Sequence, residues 1–282
     1  MKHHFLLLYF IILSIHIHAQ AVQYMPVDSI RIEDWLKQAA KQNKQQNMIL
    51  YFARMLKDIP YVAKTLEVND TEQLIVNTRQ LDCTTYVENV LALNLCHKNK
   101  QTRFASFCRY LRHIRYHKGK VSYANRLHYF SEWIADNEQK GYVKSIAPHH
   151  APFTATQIVD LHFMSSHPNL YPMMRNNLKV INAIKELEQK VSGKKYLYIP
   201  KDSIQNTQLM RNAIHDGDIL AMLTKKKGLD TSHIGIAVWH NDGLHLLNAS
   251  SIHGRVVEED KTLYQYMQTQ RTQIGIRVIR CK

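Results

Sequence analysis

The segment Gln80-Leu81-Asp82-Cys83-Thr84-Thr85-Tyr86-Val87-Glu88-Asn89-Val90 sets a cysteine at the first turn of a helix whose inner face is Val87, Val90, Leu91 and Leu95. Asp82 is suited to the N-cap, because a carboxylate there accepts from the free N–H groups of the first turn. A thiol in that turn sits at the positive end of the helix dipole. Its pKa is therefore expected below the free value of about 8.5, and the thiolate is the nucleophilic form. A lone cysteine is as readily a small buried hydrophobe. Nucleophilic chemistry needs a base beside it.

Thr231-Ser232-His233-Ile234-Gly235-Ile236-Ala237 offers that base. On a strand beginning at His233, alternation puts Gly235 and Ala237 on the histidine's face and Ile234, Ile236 and Val238 on the other. The small residues leave room on His233's own face for a helix carrying Cys83 to pack closely. The alternative is a strand-edge histidine satisfied by a backbone carbonyl. His240-Asn241-Asp242-Gly243 then marks a hairpin. Whether its loop has two residues or four, Asn248 and Ser250 of the next strand share the face of His233. With four, Asn248 lies diagonal to the histidine and within side-chain reach. Asn248 is thus the candidate to orient the imidazole, since a Cys–His pair needs a third polar group to fix the tautomer.

The elements that must position these residues divide the chain in two. Asp28 to about Asp58 reads as helical until Pro60, with further helices from Cys83 to about Cys96 and from about Gln101 to His117. After Tyr196 the texture becomes short β-branched or alternating runs: Lys195 to Ile199, Asp218 to Leu223, His233 to Trp239, Leu244 to Ser250, Arg255 to Val257 and Ile274 to Ile279. Helices first and antiparallel strands afterwards predict an α+β domain with one layer of helix on a curved sheet. The stretch from about 120 to 195, with helical pieces broken by prolines, reads as a helical insertion.

Met1-Lys2-His3-His4, the apolar run Phe5 to Ile15 and Ala19 before Gln20 form a secretory signal peptide over residues 1–19. The run is about eleven residues long, against roughly 20 for a membrane span. A soluble, exported chain is expected, periplasmic or beyond, with residues 20–282 as one domain and no stable membrane insertion. The 37 Lys+Arg against 23 Asp+Glu give a net charge of +14, which favours anionic partners. The basic stretch Arg109, Arg112, Arg115, Lys118, Lys120 is read as a solvated helix face, since export argues against nucleic acid. Four cysteines are too few for a disulfide scaffold; Cys96 and Cys108 are candidates to pair or to stay as buried thiols.

Asp82-Cys83-Thr84-Thr85 at a helix start, then Gly217-Asp218-Ile219, Ser232-His233-Ile234-Gly235-Ile236 and Asn248-Ala249-Ser250, in that order, resemble the NlpC/P60 superfamily of papain-like cell-wall cysteine hydrolases. Pro60-Tyr61-Val62, Thr65-Leu66-Glu67, Arg126 to Trp133 and Gly228-Leu229-Asp230 resemble its N-acetylmuramoyl-L-alanine amidase-like branch. The resemblance implies a papain-like helix-on-sheet core and cleavage of the amide between (anhydro-)N-acetylmuramic acid and L-alanine in muropeptides. It maps the nucleophile to Cys83, the base to His233 and the third residue to Asn248, where histidine is usual in the superfamily. Other readings on the same scaffold are an endopeptidase cutting after γ-D-glutamate and a non-catalytic peptidoglycan-binding protein.

No cofactor or metal is required by that chemistry. His113 and His117 have i, i+4 spacing but lack the glutamate of a zinc-hydrolase motif. On a presumed helix from about Arg126, the residues Arg126, Tyr129 or Phe130, Trp133 and Asp136 share one face. Rings there suit sugar faces and an arginine suits a carboxylate. The alternative makes Tyr129 and Trp133 core and pairs Arg126 with Glu132 or Asp136. The resemblance favours substrate contact and adds His128 and Ser232. A monomer is expected.

Overall fold

The computed structural model describes residues 22–43 and 45–282; the signal peptide expected over residues 1–19 lies outside them. The helices are α1 (Pro26–Ala39), α2 (Met48–Met55), α3 (Cys83–Lys98), α4 (Phe104–Arg115), α5 (Phe130–Gln139), α6 (Phe163–Ser166), α7 (Leu178–Val191), α8 (Gln208–Ala213) and α9 (Leu263–Thr269). The strands are β1 (Val22–Gln23), β2 (Leu74–Ile75), β3 (Val143–Ile146), β4 (Ala155–Ile158), β5 (Lys195–Pro200), β6 (Ile219–Thr224), β7 (Thr231–Trp239), β8 (Leu244–Ser250), β9 (Arg255–Glu258) and β10 (Gln273–Cys281). Among the described residues no helix is long and apolar enough to cross a membrane.

The fold is mixed α+β around one large antiparallel sheet of order β4-β5-β10-β6-β7-β8-β9, with β3 also paired to β10. Helix α3 is its central prop. It is buried on all sides from Thr85 to Cys96 and packs on β7 and β8 while α1, α2 and α4 surround it. Its charged Glu88 is matched inside the core by Arg115, whose Nε lies 2.7 Å from Oε2, while Arg115 also donates to the Ile75 carbonyl. A buried charge is tolerated only when paired and hydrogen-bonded in this way.

Four expectations change. The helical run from Asp28 is two helices, because the polar stretch 40–47 cannot continue the apolar stripe. Arg115 belongs to the core and not to a solvated face, since α4 turns it toward Glu88. The sheet carries helix on both faces. Ile219, Ala221, Ile234, Ile236 and Leu247 pack under α3, whereas Leu220, Met222, Ala237 and Leu246 pack with Met210 of α8 and Leu263 and Met267 of α9. Strands buried on both sides lose the polar alternation that a one-sided sheet would show. The stretch 120–195, finally, is not only helical: β3 and β4 extend the main sheet and anchor it there.

Candidate functional site

Cys83 is the first residue of α3, and Asp82 is its N-cap. The Asp82 carboxylate accepts from Thr85 N at 2.8 Å while the Thr85 hydroxyl accepts from Asp82 N at 2.9 Å. This reciprocal box fixes the direction in which the chain enters the helix. The sulfur is met by the Ile234 backbone N–H and by Thr84. Cys83 and His233 thereby line one pocket, together with Thr84, His128, Asp230 and Ser232.

The side of approach is not the expected one. Helix α3 packs on the Ile234, Ile236 and Val238 face of β7, opposite to His233, Gly235 and Ala237. Cys83 instead enters the pocket that His233 lines around the start of the strand, where its sulfur meets Ile234 N–H. There the pairing of β6 and β7 slips, so that Met222 faces His233 and Leu223 faces Thr231. An extra residue in one strand bends it and re-aims its neighbours. Gly235 is small for another reason: a Cβ there would come within 2.7 Å of Leu246 Cδ1 and 3.0 Å of Asn248 Cβ.

The β7–β8 loop has four residues, since Trp239 pairs with Leu244. The Asn248 Oδ1 lies 2.8 Å from His233 Nε2, and Asn248 Nδ2 donates to Glu259 Oε1 at 3.0 Å. Glu259, buried just beyond β9, also meets His253 Nε2 at 3.0 Å. A carboxylate only accepts, so it claims the Asn248 amide hydrogens and leaves the Asn248 oxygen for the imidazole. His233 must then carry its proton on Nε2 and keep Nδ1 as a lone pair. Glu259 was missed in the sequence, where nothing local marks a residue eleven positions from Asn248 as its partner.

The protonation states depart from expectation too. Burial and the Asp82 carboxylate push the Cys83 thiol up to about 12, against the opposing contacts of Ile234 and Thr84. The capping carboxylate that completes the helix start also cancels its pull on a thiolate. Burial holds His233 below its usual range, against its contacts with Asn248 and Glu259. Both groups in the pocket are therefore held toward their neutral forms, a thiol and an imidazole, the states in which a proton can pass from one to the other.

Of the other residues singled out in the sequence, His128, Tyr129 and Ser232 line the pocket. His128 Nε2 is 2.8 Å from the Tyr123 carbonyl, and burial with the nearby Arg126 charge brings its pKa to about 3. The Tyr129 hydroxyl donates to Glu188 at 2.6 Å. Ser232 is exposed. Arg126, Trp133 and Asp136 are not among the lining residues, and the shared helix face does not exist, because α5 starts only at Phe130. Arg126 is buried against Glu67 and Glu72, with its guanidinium 4.6 Å above the Tyr123 ring. Trp133 is core, stacked on Phe130 at 4.7 Å. Asp136 holds His117 Nδ1 at 2.6 Å and the Lys140 ammonium. Cys96 and Cys108 are free, buried thiols.

Residues 51–276 match the AmiA-like family, described as N-acetylmuramoyl-L-alanine amidase-like. No curated protein matches the chain. A solved structure of an N-acetylmuramoyl-L-alanine amidase from Bacteroides uniformis is 35% identical, with a TM-score of 0.77 over 87% of this chain and 99% of its own. A putative xylanase from Bacteroides fragilis is 39% identical, with a TM-score of 0.76 over 82% of this chain and 99% of its own. A Legionella pneumophila protein at 24% identity, TM-score 0.64, covering 90% of this chain and 96% of its own, shares the fold.

Proposed function

The chain belongs to the N-acetylmuramoyl-L-alanine amidase-like family, and we propose that it is an exported cysteine amidase with Cys83 as nucleophile, His233 as base and Asn248 as the residue that orients the base. Its substrate is a muropeptide, and its target is the amide between (anhydro-)N-acetylmuramic acid and L-alanine. The helix-on-sheet arrangement around Cys83 is read as a papain-like core of the NlpC/P60 type. The observation that carries the reading is the chain of contacts from Glu259 through Asn248 to His233, beside a thiol at a helix start.

In this reaction His233 Nδ1 takes the Cys83 proton as the sulfur attacks the lactyl carbonyl. The tetrahedral oxyanion rests on the Cys83 N–H, one of the helix-start donors that have no partner within the helix. The imidazolium returns the proton to the alanine nitrogen, which leaves as a free amine, and a muramoyl thioester remains. Water, activated by His233, hydrolyses it and restores the thiol. Aromatic Tyr129 and Tyr171 and the half-buried His128 in the same pocket suit a sugar ring and its N-acetyl group. A glycosidase reading finds less support. Sugar-bond hydrolysis commonly uses two facing carboxylates, and the pocket lining holds one, Asp230, which is engaged with Ser131 N at 2.6 Å.

The test is mass spectrometry of products after incubating residues 20–282, and the Cys83→Ser variant, with a defined anhydro-disaccharide tetrapeptide. Free anhydro-disaccharide plus intact tetrapeptide from the parent alone is expected. A dipeptide left on the sugar would move the reading to the γ-D-glutamyl endopeptidase, and no turnover by either protein would remove the catalytic role for this substrate.

A further inference from the structure

The β7–β8 hairpin gathers His240, Asp242 and His245 at the opposite end of β7 from the Cys83 pocket, and none of the three lines that pocket. His245 Nδ1 is 2.8 Å from the Glu259 backbone carbonyl, and its Nε2 is 2.9 Å from Asp242 Oδ1. A carbonyl and a carboxylate both only accept. Both ring nitrogens of His245 thus face oxygen atoms, and Nε2 shares its site with Asp242 Oδ1. The ring has 3% side-chain exposure. A second imidazole, His240, lies over it at 4.2 Å and 24°.

We propose that His240, Asp242 and His245 bind one divalent transition-metal ion, of which zinc is the first to test. One donor atom from each residue lies within 4.8 Å of the others. Zinc holds nitrogen and oxygen ligands at about 2.0–2.1 Å, which sets tetrahedral ligand atoms roughly 3.3 Å apart; His245 Nε2 and Asp242 Oδ1 are already within that distance, and exposed His240 can join them by side-chain rotation. Two imidazoles and a carboxylate are a donor set that late first-row ions accept. His245 is already held as ligating imidazoles are, with its other N–H on a carbonyl. Glu258 Oε1, 2.7 Å from His240 Nε2 and also bonded to Arg54, steadies that second ring from outside the three donors. The ion takes no part in bond cleavage. It ties the hairpin to Glu259, whose side chain holds Asn248.

Metal-stripped residues 20–282 and a His240→Asn, Asp242→Asn double variant are titrated with zinc chloride by calorimetry, with melting followed in chelator and in zinc. Both substituted residues are exposed, so equal melting temperatures in chelator are expected. The parent should take up one zinc equivalent more than the variant, and zinc should raise the melting temperature of the parent by a few degrees while leaving the variant's unchanged. Equal uptake and equal thermal response overturn the proposal. So does a nitrogen spectrum in which the His245 Nε2 signal is unmoved at saturating zinc. These readouts are independent of amidase turnover.

Discussion

Glu259 decides which way round Asn248 sits. Its carboxylate, 3.0 Å from Asn248 Nδ2, excludes the flipped amide, in which a hydrogen would face His233 Nε2 and push the imidazole proton onto Nδ1. That tautomer has no lone pair for the thiol. Glu259→Ala should therefore lower kcat about ten- to a hundredfold with KM little changed, in the range that general-base efficiency spans. Glu259→Gln, which still offers an accepting oxygen, should recover most of it. Steady-state kinetics on the anhydro-disaccharide tetrapeptide decides the point: equal losses in both variants, or a loss confined to KM, would show Glu259 to be packing only. The same buried relay sets the pH profile. Because His233 is held below its ordinary value of 6.5, it stays largely unprotonated at pH 6.5, where a free imidazole is half protonated. The acid limb of kcat/KM should thus lie below 6.5, and a limb at or above that value would contradict the neutral resting pair.

Helix α3 shows how one cap does two opposing things. Asp82 satisfies the first turn and raises the Cys83 thiol. Asp82→Asn keeps an oxygen for Thr85 N and removes the charge. It should cost well under about 1 kcal/mol of stability, since Asn and Asp cap about equally, while Cys83 alkylates faster at pH 7 to 8. Iodoacetamide rates measured beside urea unfolding check both halves, and an unchanged rate would mean that burial alone sets the thiol. This start was legible because a cap, a cysteine and an apolar face lie within a dozen residues. The strands after Tyr196 were legible by their texture, and the placing of Asn248 by the period of two across a hairpin. The start of α5 was not. Its Ser131 N–H is capped at 2.6 Å by Asp230, which precedes β7 and lies 99 residues on, so the local spacing let the helix run back to Arg126. The helices on the sheet's second face were not legible either. Neither α8 nor α9 exceeds seven residues, too short to display a period.

Across the whole molecule, buried ionisable groups of opposite habit set how stability follows pH. His97, His128 and His233 are all buried toward the neutral form, with His128 at about 3. Between 6.5 and those lowered values the unfolded chain binds protons that the folded chain refuses. Their stabilising contribution is complete above 6.5 and is lost as the pH falls. Glu132 on α5 works the other way. Burial and the nearby Asp136 raise it to about 7, and its Oε2 has no hydrogen-bond partner. Between 4.5 and 7 the folded chain holds a proton there that the unfolded chain has released, so this contribution is complete below 4.5 and is lost as the pH rises through 7. Over the window from 4.5 to 6.5 the glutamate therefore offsets about one histidine. Glu132→Gln, which keeps the shape and removes the titration, leaves the histidines unopposed. Its stability should fall more steeply than the parent's from pH 6.5 to 4.5, the extra loss amounting to about 2 kcal/mol at a slope of at most about 1.4 kcal/mol per proton and pH unit. Urea unfolding of both proteins at pH 4.5, 5.5 and 6.5 measures it. Parallel curves would show that Glu132 is ionised in the folded chain across that window, and the buried carboxylate would then need a cationic partner, with Lys190 and Lys194 the nearest candidates.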